Sequence, residues 1–100
     1  MEKMHYITAT QFCHHYGVER SFIYALHQSG LIQLVEEEEA LIPVEQLTDL
    51  EKYTRLHYEL EINPEGIEAI TYLLQRMAQM EEELQVLKAR LRLYEEDDAE

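Results

Sequence analysis

GVERSFIYALHQSG, residues 17–30, decides how this chain folds. Phe22, Ile23 and Leu26 fall on one face at helical spacing, which predicts a short amphipathic helix. A glycine stands at each end, Gly17 and Gly30, thirteen positions apart. Glycine is the residue that ends a helix in the left-handed conformation at least steric cost. Gly17 therefore closes an earlier helix and Gly30 closes this one. That earlier helix lies in TATQFCHHY, residues 8–16, after a short extended piece. Thr8 with Gln11 fits a capping box, with Thr10 as the competing N-cap. Phe12, Cys13 and Tyr16 supply its apolar side. Two short helices across a glycine turn make a helix-turn-helix.

Toward the C-terminus, LIQLV (31–35) and ALIPV (40–44) are β-rich runs at hairpin spacing around Glu36, Glu37, Glu38 and Glu39. Pro43 lacks an N–H and belongs at an edge or a strand end. EQLTDLEKYTRLHYELEI (45–62) repeats Leu47, Leu50, Tyr53, Leu56 and Leu60 at threes and fours, a third helix. INPEG then opens a new one. Asn63 is a good N-cap, Pro64 is pre-set for the first helical position, and Glu65 suits the positive end of the dipole. Nothing stops this helix before about Tyr94, a rod of roughly 45 Å at the usual rise per residue. The expected organisation is mainly α: a winged helix-turn-helix globule over 1–62, a long heptad helix over 63–94, and a frayed acidic tail over 95–100.

Ile70, Leu73, Met77, Met80, Leu84, Leu87, Leu91 and Tyr94 alternate spacings of three and four. This is an a/d seam sustained for more than three heptads. The shorter elements cannot cover it, so a second copy of the chain is the expected partner and the helix a dimerisation element. Parallel pairing sets Arg76 against Glu81 and Glu83 against Lys88. Antiparallel pairing sets Glu83 against Arg90 and Glu81 against Lys88. Both are attractive, so these pairs leave the direction open.

The 100 residues are 46% apolar, enough for a real core. The net charge is −13, from 21 acids and 8 bases. That sign opposes nucleic acid and anionic membrane and favours a basic protein partner. The acidity is built into the globule, since residues 31–50 carry six acids and no Lys or Arg. One cysteine cannot form an intrachain disulfide. No apolar run has signal-peptide or membrane-span length. A soluble cytoplasmic protein is expected.

No constellation points to an enzyme, a metal, a cofactor or a small-molecule substrate. His14 and His15 are adjacent and point about 100° apart on a helix, a poor start for a shared ion. Cys13 falls mid-helix on the apolar side, where cysteine behaves as a small hydrophobe. Tyr53 fits the inner stripe of the third helix. His57 and Tyr58 are expected near its surface.

TQFCHHYGV (10–18) and RLHYELEINPEGIEAI (55–70), together with the later run of spaced Leu and Met, resemble the chaperone-modulator (CbpM) family of MerR-like winged-helix proteins. The resemblance covers nearly the whole chain. It implies a non-enzymatic dimer that binds the J-domain of a CbpA/DnaJ-like co-chaperone and inhibits it. An acidic modulator suits the basic helix with which a J-domain engages its partner. The contacts expected to meet that partner are Glu36, Glu37, Glu38 and Glu39 on the wing, Glu51, His57 and Tyr58 on the third helix, and Glu81, Glu82 and Glu83 on the last.

The alternative is DNA reading in the MerR manner. Val18, Ile23 and Leu31 match apolar positions of that pattern, but Ser21 and Tyr24 stand where MerR readers usually place Arg. Arg20 is one position off. Ala25 and Leu26 replace an aromatic pair, and the wing offers glutamates. Specific DNA binding commonly uses about six to ten phosphate contacts. The first 50 residues hold two bases against eight acids. DNA binding is therefore the weaker expectation.

Overall fold

The computed structural model describes residues 5–98. In chain order they form β1 (Tyr6–Thr8), α1 (Ala9–Tyr16), α2 (Arg20–Gln28), β2 (Val35–Glu36), β3 (Ala40–Pro43), a 3-10 turn (Val44–Gln46), α3 (Leu47–Tyr58) and α4 (Pro64–Asp98). The chain divides into two compact units, one ending at Glu68 and one beginning at Ala69.

The helix-turn-helix forms for the local reasons its sequence suggests. Thr8 is the N-cap of α1, and both halves of the capping box close. The Gln11 N–H donates to Thr8 Oγ1 at 3.0 Å, and the Thr8 N–H donates to Gln11 Oε1 at 2.9 Å. Gly17 sits at φ 66° with its N–H on the Cys13 carbonyl, which ends α1. The Val18 N–H donates to the same carbonyl at 3.1 Å. Gly30 has φ 80°, and the Leu31 N–H closes the same motif on the Leu26 carbonyl at 3.0 Å.

The wing differs from its expected form. The sheet has three strands in the order β1-β3-β2. The extended piece before α1 pairs Tyr6, Ile7 and Thr8 with Pro43, Ile42 and Leu41. Pro43 is the last residue of β3, and the next donor, the Val44 N–H, bonds to the His5 carbonyl at 3.0 Å. The five-residue strand expected over 31–35 shrinks to Val35–Glu36, paired with Leu41 and Ala40. Side chains occupy the backbone groups a ladder would have used. The Gln33 N–H donates to Gln46 Oε1 and the Gln46 amide donates to the Gln33 carbonyl, each at 2.7 Å. His27 Nδ1 lies 3.3 Å from the Ile32 carbonyl oxygen. This irregular path sends Ile32 into the core. Of the four wing glutamates, Glu36 belongs to β2, and Glu37–Glu39 form the bend.

Phe12, Ile23, Leu26, Ile32, Ile42, Leu50 and Ile67 are the largest fully buried side chains of one core cluster. Each stabilises the fold by roughly 2 kcal/mol relative to an exposed position. Thr54, the buried polar residue, donates from Oγ1 to the Leu50 carbonyl at 2.8 Å.

Helix α3 is shorter than its apolar repeat suggests. It begins after the 3-10 turn and stops at Tyr58, so Leu60, expected on the inner stripe, is exposed. The chain then turns through Glu61 at φ 57°, a left-handed conformation that costs a non-glycine residue about 1–2 kcal/mol. The Ile62 N–H donates to the Leu56 carbonyl at 3.1 Å. Asn63 caps α4, its Oδ1 accepting the Gly66 N–H at 2.8 Å. Ile67 reaches the core from the first turn of α4, and Ile62 packs against that core.

The second unit is the remainder of α4. The helix continues past Tyr94 to Asp98, over Glu95, Glu96, Asp97 and Asp98, which include no glycine or proline to end it. The last part of the expected tail, 99–100, lies outside the described residues.

Candidate functional site

Two tyrosines pin the helix-turn-helix to α3. The Tyr16 hydroxyl, from the end of α1, donates to Glu51 Oε1 at 2.8 Å. The Tyr58 hydroxyl, from the end of α3, accepts the backbone N–H of Glu19 at 3.1 Å. Glu19 is the N-cap of α2, and its own side chain does not cap the helix. The second bond therefore satisfies a donor just ahead of a helix N-terminus.

Each tyrosine is laid on a buried phenylalanine. Tyr16 stacks on Phe12 with ring centroids 4.4 Å apart and 25° between planes. Tyr58 meets Phe22 edge-on at 5.5 Å and 81°. His57 stacks flat on the same Phe22 at 4.5 Å and 13°, and its Nδ1 lies 2.7 Å from the Ile62 carbonyl oxygen. His57 is thus a structural bridge between α2 and the turn before α4. Tyr16 and Tyr58 remain 40% and 43% exposed, so their outer faces are open.

The acceptor geometry raises the Tyr16 phenol above its ordinary pKa. Its hydrogen bond to Glu51 is the main cause, with burial and the Glu51 charge adding to it. Burial likewise pushes the Cys13 thiol up, and Arg20 opposes this weakly. A thiol held in its protonated form is a poor nucleophile.

The sequence-expected contacts fall in three places. Glu51, His57 and Tyr58 share α3, but His57 points inward to Phe22. Glu36, Glu37, Glu38 and Glu39 are all exposed on the wing. Glu81, Glu82 and Glu83 are exposed on the second unit. Tyr16 and Glu19 were not among the expected contacts. Their partners lie 35 and 39 residues away in sequence, and periodicity along one helix carries no signal of such pairings. On α2, Arg20, Ser21, Tyr24 and Gln28 face outward. Ser21 Oγ donates to Glu19 Oε2 at 3.3 Å.

On α4, Leu73, Met77, Met80, Leu84, Leu87, Leu91 and Tyr94 are between 49% and 72% exposed. From Leu73 onward the heptad seam is exposed within one chain, while Ile70 is half-buried. Among the described residues no group of three or more His, Cys, Asp or Glu is placed to hold a metal ion. No helix among them is long and apolar enough to cross a membrane.

No curated protein and no solved structure matched the chain on comparison. A family model did: that of the MerR HTH family regulatory proteins matches residues 7–89, from β1 well into α4. The capped helix-turn-helix, the small wing and the greater part of the long last helix fall within the match, and the chain belongs to the MerR helix-turn-helix family of regulatory proteins.

Proposed function

We propose that this MerR-family protein is a non-enzymatic regulator that binds a protein, the J-domain of a CbpA/DnaJ-like co-chaperone, and inhibits its co-chaperone activity. The observation that carries this reading is the chemistry of the surface a DNA reader would use. The outward positions of α2 include Ser21 and Tyr24, and the wing presents four exposed glutamates. A phosphate backbone approaching that wing meets carboxylates inside a screening length of about 8 Å. A basic protein surface meets complementary charge. The chaperone-modulator blocks at 10–18 and 55–70 supply the identity of the partner. The protein works as a homodimer through the uncovered seam of α4, and inhibition is by occlusion of the J-domain's basic helix.

Calorimetric titration of the purified protein with a J-domain tests this. Saturable binding that weakens with salt is expected, and no binding at low salt overturns it.

Family membership and the intact, outward-facing α2 favour a second reading, a DNA-binding transcriptional regulator. It requires salt-sensitive gel shifts on a palindromic duplex, with a specific site bound far more tightly than random sequence.

A further inference from the structure

The partner reading leaves three acidic places to choose among: the wing, α3, and the middle of α4. We infer that docking occurs on a strip across the joint between the helix-turn-helix and α3, made by Tyr16, Glu19, Glu51 and Tyr58, and that this strip takes a Lys/Arg-rich helical segment of a partner protein. The inference rests on the partner-binding reading above and selects its surface.

Rigidity comes first. Binding loses less free energy to ordering when the contact side chains are already fixed. Tyr16 and Tyr58 are each seated on a buried phenylalanine and held at the hydroxyl. Each still shows an open ring face. Exposed tyrosines with few free rotamers are what tight protein contacts tend to use. The wing glutamates form no hydrogen bond to any residue of α3. Exposed carboxylates without such anchoring act on encounter rate and salt dependence more than on affinity.

Chemistry comes second. Tyr16 is bonded to the carboxylate of Glu51, and Tyr58 to the backbone of the acidic Glu19. A Lys or Arg placed over either ring gains a cation–π contact and a carboxylate neighbour together. The Tyr58 hydroxyl accepts from Glu19, which leaves its own proton free to donate. Glu51 and Tyr58 are seven residues apart on α3, about 10 Å along the axis. Two basic residues at i and i+7 of a partner helix lying along α3 have the same separation. The surrounding charge agrees, since residues 5–68 hold twelve acids against three bases. Those bases, Arg20, Lys52 and Arg55, form no ion pair with Glu19 or Glu51.

Affinity measurements with a J-domain as the probe separate the surfaces. Changing Tyr16 and Glu51 together to Ala is expected to weaken binding by at least about tenfold. Changing Glu36 through Glu39 together to Gln is expected to slow association and flatten the salt dependence, with the dissociation constant within about threefold of wild type. Glu19→Gln with Glu51→Gln keeps side-chain shape and guards against a misfolded variant. It too is expected to weaken binding. On the unaltered protein, amide shifts on adding the J-domain should be largest around Tyr16, Glu19, Glu51 and Tyr58. Wild-type binding that survives the strip variants, or shifts centred on the wing or on Glu81–Glu83, overturns the strip and leaves the function standing. A wild-type protein that binds no J-domain at low salt overturns both.

Discussion

The Tyr16 hydroxyl donates to Glu51 Oε1 across 2.8 Å, and this one bond joins the end of α1 to the first half of α3. A phenol that donates to a carboxylate resists losing its proton, so the folded protein raises the Tyr16 pKa. The sign of the linkage follows. The native state holds the proton more tightly than the unfolded chain. The stabilisation is fully present below the unfolded phenol pKa and is lost as pH rises through the raised folded value. Following Tyr16 by NMR with ring-labelled tyrosine, we expect it to titrate above the ordinary phenol value. Glu51→Gln should bring it down. A Tyr16 titration that Glu51→Gln leaves in place would show that the bond does not persist in solution.

Gly66 stands in the first turn of α4, where alanine would ordinarily be the better helix former by about 1 kcal/mol. The surroundings reverse that preference. A Cβ at Gly66 would lie 2.7 Å from Ile62 Cγ2 and 3.0 Å from Asn63 Oδ1. The first contact is to a branch methyl packed against the core, and the second is to the oxygen that caps the helix. Gly66→Ala is expected to destabilise the protein by about 1–2 kcal/mol in urea unfolding, as overpacked positions do. A stabilised variant would mean that Ile62 moves aside freely.

Much of the first unit was legible because its determinants are local. The Thr8–Gln11 capping box, the Gly17 and Gly30 stops and the Asn63–Pro64 start each act within a few residues. The misreadings share a cause. Gln33 takes its hydrogen bonds from Gln46, thirteen positions away, so an apolar run that reads as a strand builds no ladder before Val35. Leu60 keeps the apolar period of α3, but the turn at Glu61 ends the helix before the period does. β1 read only as an extended piece, since its partner β3 lies more than thirty residues on. The candidate strip suffered in the same way. Tyr58 and Glu51 could be named from α3, whereas Tyr16 and Glu19 join them only through contacts made in the fold.

Gln46 offers a direct measure of what side chain-for-strand replacement is worth. Its amide uses both an oxygen and a nitrogen on one residue, Gln33. Gln46→Ala removes two hydrogen bonds from an exposed segment that water can partly resolvate, so a loss of about 1–2 kcal/mol is expected. Gln46→Glu keeps the acceptor for the Gln33 N–H but turns the other oxygen toward the Gln33 carbonyl. It should be no better than alanine at neutral pH and should recover part of the loss in acid, where a protonated carboxyl can donate. Urea midpoints at the two pH values, each referred to wild type, check this. Equal losses at both would assign Gln46 no directional role.

The seam of α4 makes the sharpest demand. Leu84 is 49% exposed and Leu87 is 59% exposed in one chain, and each covered leucine recovers on the order of 1 kcal/mol. Over the whole seam this is several kcal/mol, so a stable dimer is expected in sedimentation equilibrium. Leu84→Asp with Leu87→Asp should make it a monomer. Charge does not choose the direction, since Glu83 meets Lys88 of the partner in parallel pairing, while Glu83 meets Arg90 and Glu81 meets Lys88 in antiparallel pairing. Antiparallel packing centred between Leu84 and Leu87 places each of these leucines against the other across the pair. With Cys13 replaced by Ser, Leu84→Cys combined with Leu87→Cys should then cross-link under oxidation, while Leu84→Cys alone should not. Efficient cross-linking of the single variant would mean a parallel pair, and a monomeric wild type would leave the seam for another protein's helix.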